Sequence, residues 1–284
     1  MKNWFIFIKE RIPLVVYALL VGGIVSSSQI IGGQDFIAPY FALAFIGLFL
    51  FFAVLRMMDE VKDFDKDKVA HPERPLPRGV LSLENVLEAI KYLYGTMILI
   101  GIALTFIMSP YAGICYLIIT LWLGLMYKEF FVPKWLNDRP LIYAISHQVL
   151  MIAVAAFPAL LSPKFEGSQN IFYLGLTMLG SFFTYEVCRK LDPKADPVLG
   201  TYLVIYGPFQ TFLILLGCST LAWFGAHMLN MSLFLMPLQF LVVLSYLLIF
   251  IKPEKYKGVE ALATLSLLFH LWCGPLSLLF NKGA

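Results

Sequence analysis

RMMDEVKDFDKDKVAHPERPLPRG, residues 56–79, is the stretch on which the reading of this chain turns. A long apolar run leads straight into it, and it carries six of the 18 acidic residues. Asp59, Asp63 and Asp67 stand at i, i+4 and i+8. If the preceding helix continues through them, each step of four advances about 400°, so the three carboxylates drift by about 80° and share one face. Lys62, Lys66, Lys68, Arg74 and Arg78 are interleaved with them. Such a face can hold hard divalent cations and, through them, a phosphate-bearing ligand. The competing explanation is a solvated loop laced by i,i+4 ion pairs.

Outside this stretch the chain is strongly apolar. Of 284 residues, 60% are hydrophobic and 14% charged, where a soluble domain would carry roughly 25% charged residues. Apolar runs of about 20 residues recur from end to end, the signature of membrane-spanning helices. The expected fold is all-α: a polytopic membrane helix bundle forming a single transmembrane domain over 1–284. Nine spans are placed near 12–32, 36–58, 83–107, 111–131, 140–162, 171–190, 199–222, 231–251 and 259–280. Met1 to Arg11 reads as an interfacial amphipathic segment leading into an uncleaved first span.

The net charge of +3 argues against a nucleic-acid partner, and its distribution says more than its sum. With nine spans, 19 of the 21 Lys and Arg residues fall on one side, and only Lys164 and Lys282 on the other. That asymmetry places the loops at about 56–79 and 185–202 on the cytoplasmic side of the bilayer. Pro13, Pro110, Pro140 and Pro237 sit near span starts, where a missing N–H is harmless. Pro158 and Gly207-Pro208 fall inside spans and should kink them. Cys115, Cys188, Cys218 and Cys273 are far apart in sequence with no CxxC pair, as expected of small buried apolar residues.

The second polar stretch is YEVCRKLDPKADPVLGTY, residues 185–202. Asp192 and Asp196 are again four apart, with Glu186 upstream and Arg189, Lys190 and Lys194 between. Pro193 and Pro197 interrupt a continuous helix here, so a turn should array the carboxylates. Carboxylates in a bilayer core cost about 2.5–3.5 kcal/mol each on insertion scales, so both clusters are expected to line a polar cavity or its rim. Facing each other, they could hold two or more Mg²⁺ and clamp a diphosphate, with Lys and Arg on its remaining oxygens. Apolar helix walls would suit a polyisoprenyl tail.

These two stretches resemble those of the UbiA superfamily of intramembrane prenyltransferases, nine-helix bundles with two Asp-rich motifs on the cytoplasmic side. The family's first motif runs N-D-x-x-D-x-x-x-D, followed by R-P-L-P-x-G. Asp59, Glu60, Asp63 and Asp67 occupy its polar positions here, and residues 74–79 match the tail. The second motif, D-x-x-x-D, matches Asp192 and Asp196, with Gly200 and Thr201 resembling the Gly-Thr that follows it. The resemblance implies an isoprenyl diphosphate substrate in a lipid bilayer, with Mg²⁺ held by Asp59, Glu60, Asp63, Asp67, Asp192 and Asp196. Arg56, Lys62, Arg74, Tyr127, Arg189 and Lys190 become the diphosphate contacts. There are departures. Asp59 and Glu60 replace the usual Asn and Asp, and Phe131 stands where the Lys of the family's Tyr-x-x-x-Lys would follow Tyr127.

Three functions compete on these residues. In the first, ionisation of an allylic isoprenyl diphosphate leaves a cation that an acceptor captures, an aromatic ring being one candidate. In the second, a terpene cyclase on the same scaffold quenches that cation within its own chain. The third is a transporter, although carrier sites are expected near the bilayer midplane rather than at helix ends. His147, Gln148, Tyr202, Tyr206, Gln210, Gln239 and His270 lie within spans and either line a cavity or bond neighbouring helices. His71 reads as a loop residue, since Mg²⁺ prefers oxygen.

Overall fold

The structure is a computed structural model that describes residues 2–33, 37–162, 165 and 167–280. Lys164 and Lys282, the two basic residues expected on the opposite side, lie outside the described residues. No strand occurs among the described residues.

The chain opens with α1 (Lys2–Arg11), then α2 (Leu14–Ile31), α3 (Ala38–Lys62) and the short α4 (Phe64–Ala70). A turn leads to α5 (Leu83–Ile107) and α6 (Pro110–Tyr127), then to α7 (Pro133–Asn137), α8 (Pro140–Gln148) and α9 (Met151–Leu160). Next come α10 (Gln169–Cys188), α11 (Tyr202–Met228), α12 (Ser232–Tyr246), α13 (Leu248–Ile251), α14 (Tyr256–Leu271) and α15 (Cys273–Phe280). Eight stretches are long and apolar enough to cross a membrane, with α8–α9 and α12–α13 each counting as one. A ninth, Pro253–Leu271 with Cys273–Leu279, is bent by 71°. The molecule is an integral, multi-pass membrane protein. Leu233 at 91% and Phe106 at 84% exposed illustrate side chains that only a lipid environment would satisfy.

α10 occupies the middle, packed against α9, α11 and α14 and touching α2 and α8. Small residues let it approach closely: a methyl group on Gly180 would meet the Cys218 carbonyl of α11 at 2.6 Å. Polar side chains tie other helices. Ser28 Oγ donates to the Ala155 carbonyl at 2.6 Å, and the Tyr116 hydroxyl to the Gly47 carbonyl at 2.9 Å. The four cysteines are free, and all but the half-buried Cys115 are buried.

The expected kinks divide. At Gly207 the backbone of α11 takes φ 75 and ψ 172, a region open essentially to glycine alone. Pro208 cannot donate to the preceding turn, and its own carbonyl accepts from the Tyr246 hydroxyl of α12 at 2.9 Å. Replacing Gly207 by alanine should cost about 1–3 kcal/mol, seen as a lower melting temperature in detergent; an unchanged melt would mean that α11 straightens without penalty. Pro158, by contrast, lies inside an intact α9, and that span breaks earlier, at Val149–Leu150. Pro237 sits a turn further in than a helix start, at the sixth residue of α12.

Candidate active site

The first acidic motif straddles the end of α3. Asp59 and Glu60 lie in its last turn, Asp63 caps it, and Asp67 sits on α4. The i→i−4 ladder runs on across the junction, with Asp63 N–H to the Asp59 carbonyl at 2.9 Å and Asp67 N–H to Asp63 at 2.7 Å. Yet the shared face expected for Asp59, Asp63 and Asp67 is divided. Asp59 is half-buried and Asp63 exposed, while Glu60 and Asp67 are each only 2% exposed. The cause is periodicity: residues seven apart are nearly in register on a helix, so Asp67 aligns with Glu60 rather than with Asp59.

The buried pair is occupied by arginines. Glu60 accepts from Arg11 Nε of α1 at 2.7 Å and also from Arg56. Both Asp67 oxygens are held by Arg74 Nη1, at 2.6 and 2.7 Å. Arg74 belongs to the 74–79 turn, which closes through Val80 N–H to the Pro75 carbonyl at 2.8 Å and at Gly79 with φ 76. Leu76 fastens that turn to the core. His71 stays in the loop, 3.5 Å from Glu73.

Asp59 and Asp63 face a different set of groups. Asp59 lies within the fields of Lys62, Asp63, Arg189 and Glu186, so charges at the end of α3 and the end of α10 act on one another. There Glu186 gathers Arg189 at 2.5 Å and Lys190 at 2.6 Å. Glu186, then Tyr185 and Asp59, hold the Arg189 guanidinium further above its ordinary range, against the opposing effect of burial. Lys190 Nζ stands 5.6 Å over the Tyr202 ring at the start of α11, and Tyr202 stacks on Tyr206. α4 also packs against the 197–199 turn, which brings the two polar loops together.

Asp192 and Asp196 shape their own turn. Asp192 accepts from the Tyr256 hydroxyl of α14 at 2.8 Å and from Lys194 N–H at 2.9 Å, while Asp196 accepts from Val198 N–H at 2.9 Å. Both stay partly accessible.

Three further residues complete the site. Lys62 Nζ donates to the Tyr143 hydroxyl at 2.6 Å and to the Met126 carbonyl at 3.3 Å, and pairs with Glu129 at 3.7 Å. Tyr143, on α8, lies within the fields of Glu129, Asp59, Asp63 and Glu186. Glu129, Phe130 and Phe131 form a left-handed turn with φ of 48, 51 and 60, a conformation that costs non-glycine residues roughly 1–2 kcal/mol each. It lies where the family's Tyr-x-x-x-Lys would. Tyr127 sits beneath Lys128, whose Nζ is 5.3 Å from its ring, so the hydroxyl meeting Lys62 is Tyr143's. Gln239 donates its amide to the Ser219 carbonyl between helices, and His270 Nδ1 bonds Ser266 within its own helix, both packing roles.

Among the described residues no three His, Cys, Asp or Glu side chains converge tightly enough to hold a metal ion alone. Two hard carboxylates, Asp59 and Asp63, do share the site. That donor set suits Mg²⁺, which is usually held by one or two carboxylates together with substrate phosphates. Two apolar grooves run elsewhere, between α1, α3 and α5 and between α2, α14 and α15, and neither is lined by a charged residue.

A multi-pass helix bundle that gathers carboxylates, lysines and arginines at the end of its central helices has the make-up of an intramembrane enzyme. Its sequence matches the UbiA prenyltransferase family over residues 15–274, and the chain belongs to that family. Digeranylgeranylglyceryl phosphate synthase of Methanococcoides burtonii is 32% identical over 84 residues, which cover 27% of this chain and 28% of that relative. Two solved structures share the fold. One is reported under structural and mechanistic insights into the biosynthesis of digeranylgeranylglyceryl phosphate synthase in membranes: TM-score 0.61, 18% identity, 96% of this chain and 99% of that one. The other is the apo structure of a UbiA homologue from Aeropyrum pernix K1: TM-score 0.65, 11% identity, 93% and 98% covered.

Proposed function

We propose that this prenyltransferase ionises an allylic isoprenyl diphosphate at the motif end of the bundle and passes the prenyl group to an acceptor. The observation that carries the reading is the packing of α4 against the 197–199 turn, with Asp59 within the fields of Arg189 and Glu186, which puts the two motif regions at one end of the bundle. Asp59 and Asp63 would hold Mg²⁺, which neutralises charge gathering on the departing diphosphate. Lys62, Arg189 and Lys190 supply charge-assisted hydrogen bonds to its oxygens. Asp192 and Asp196 hold the turn that closes the site and add carboxylate oxygens at its rim. Glu60 and Asp67 support the same motif through Arg11, Arg56 and Arg74. The excess of lysine and arginine on this side supports a cytoplasmic orientation.

Two acceptor classes follow from the chemistry: an aromatic ring, and a lipid hydroxyl of the kind that the name of the Methanococcoides burtonii relative implies for its own glyceryl phosphate product. Full-length protein in liposomes, given Mg²⁺ and C10, C15 or C20 allylic diphosphates, should release pyrophosphate. Chelation by EDTA should lower that release at least about 10²-fold. Release unaffected by EDTA would sink the Mg²⁺ assignment. A cyclic hydrocarbon or terpene alcohol formed from the diphosphate alone, with no transfer to either acceptor class, would reassign the chain to terpene cyclisation.

A further inference from the structure

We infer that His147 is the acceptor-side base of this site: its Nε2 takes the proton that the acceptor nucleophile gives up as the prenyl group is transferred. The inference rests on the prenyl-transfer reading above.

The geometry begins with the tautomer. His147 Nδ1 stands 2.8 Å from the Tyr143 carbonyl and 3.1 Å from Ser146 Oγ, which itself donates to that carbonyl at 2.8 Å. A carbonyl can only accept, so the ring proton belongs on Nδ1 and the Nε2 lone pair is free. Nε2 is buried, with no hydrogen-bond partner among the described residues. A buried acceptor without a partner costs about 1–3 kcal/mol; His270 Nε2 shares that state but has no charged neighbour among the described residues, whereas His147 sits among the charges of the site.

The ring is also held in one orientation. It stacks on Tyr143 with centroids 4.1 Å apart and planes 14° apart, and Phe130 meets it edge-on at 5.9 Å. Phe130 comes from the left-handed turn after α6, so that turn's cost goes into placing an aromatic wall against this imidazole. The charged groups facing it are Lys62 from α3, Glu186 from α10 and Lys190 from the turn after α10, three side chains already at the site. Along α8, Tyr143 stands level with Lys62, and His147 is four residues deeper on the same face, about 6 Å further from the loop end. The reacting carbon of a diphosphate held by Lys62 and Arg189 is expected at that depth, beside the acceptor.

The step balances without a redox partner. The bond between the prenyl C1 and the diphosphate oxygen breaks, and its electron pair leaves with the diphosphate. The acceptor hydroxyl oxygen forms the new bond to C1, and its proton passes to His147 Nε2, giving an imidazolium that later returns the proton to water. A proton transfer of this kind contributes about 10²–10⁴-fold.

The test uses the full chain in liposomes with geranylgeranyl diphosphate and Mg²⁺, capture being by water or by an added prenylglyceryl phosphate. His147→Asn keeps a donor to the Tyr143 carbonyl and removes the base. It should lower kcat about 10²-fold or more and leave KM for the diphosphate within about twofold. External imidazole should restore part of the rate to His147→Ala. Wild-type kcat in His147→Asn would make the ring a packing residue, as would rates that fall only in step with the folded fraction while imidazole does nothing. A wild-type protein that releases no pyrophosphate defeats the prenyl-transfer reading and this inference with it. Release by wild type with normal behaviour of the variants defeats the inference alone.

Discussion

Asp63→Ala should abolish pyrophosphate release, lowering its rate at least about 10²–10³-fold, the usual consequence of removing one group that stabilises transition-state charge. Of the acidic residues in the first motif, Asp59 lies within the fields of Lys62, Arg189 and Glu186, and Asp63 lies within those of Asp59 and Tyr143. Asp63 is the exposed one, caps α3, and holds no side chain of the fold in an ion pair among the described residues. Its loss should therefore leave the melting temperature within about 2 °C of wild type, since surface substitutions of this kind stay within roughly 0.5 kcal/mol. Asp67→Ala supplies the contrast. It would strand Arg74 against a buried gap, so it should destabilise the protein and reduce activity in step with folding. Equal pyrophosphate release by Asp63→Ala and wild type would remove Asp63 from the site. Loss of activity at unchanged stability in Asp67→Ala would return Asp67 to the metal set.

The bundle was legible because lipid leaves so little choice. Each span needs about 20 apolar residues with its backbone satisfied internally, and that requirement is written in the composition. Gly207-Pro208 also announced its bend, because the dipeptide both frees a carbonyl and admits a positive φ. Pro158 misled, since a proline in the last turns of α9 can be accommodated where the helix is about to end, whereas the break at Val149–Leu150 carries no glycine or proline. The bend after Leu271 had a signal in Gly274 and Pro275, read there as the interior of a span. Within the site, the spacing of four drew Asp59, Asp63 and Asp67 together. The spacing of seven between Glu60 and Asp67 was on the page, but its meaning depended on Arg11 arriving from a helix 49 residues away. Tyr143, Glu129 and the role of His147 depend on how α8 and the turn after α6 fold back against α3, and no local pattern encodes that.

Glu60→Ala should be the most damaging single change to stability in the motif, at about 3–5 kcal/mol, because it leaves two guanidinium groups without their shared carboxylate. Glu60 is buried beneath Arg11 and Arg56, whose side chains are only 15% and 24% exposed. Arg11 Nη2 stands 2.5 Å from the Glu60 carboxylate and Arg56 Nε has no hydrogen-bond partner among the described residues, so both guanidinium groups are already short of alternatives. Removing Arg11 instead should cost less, since Arg56 still neutralises the carboxylate. Replacing all three with leucine should recover most of the loss, as buried ion clusters exchanged for packed apolar side chains commonly do. A second readout follows from where Arg11 sits. It ends α1, which otherwise holds through the buried Phe7 and the Glu10–Arg78 pair at 2.7 Å. Glu60→Ala should loosen that end and open the bonds after Lys9 and Arg11 to trypsin several-fold faster than in wild type. Unchanged melting and unchanged proteolysis, coupled to lost pyrophosphate release, would mean that the carboxylate serves the metal and not the arginines, and would overturn the division of the motif into a supporting face and a reacting one.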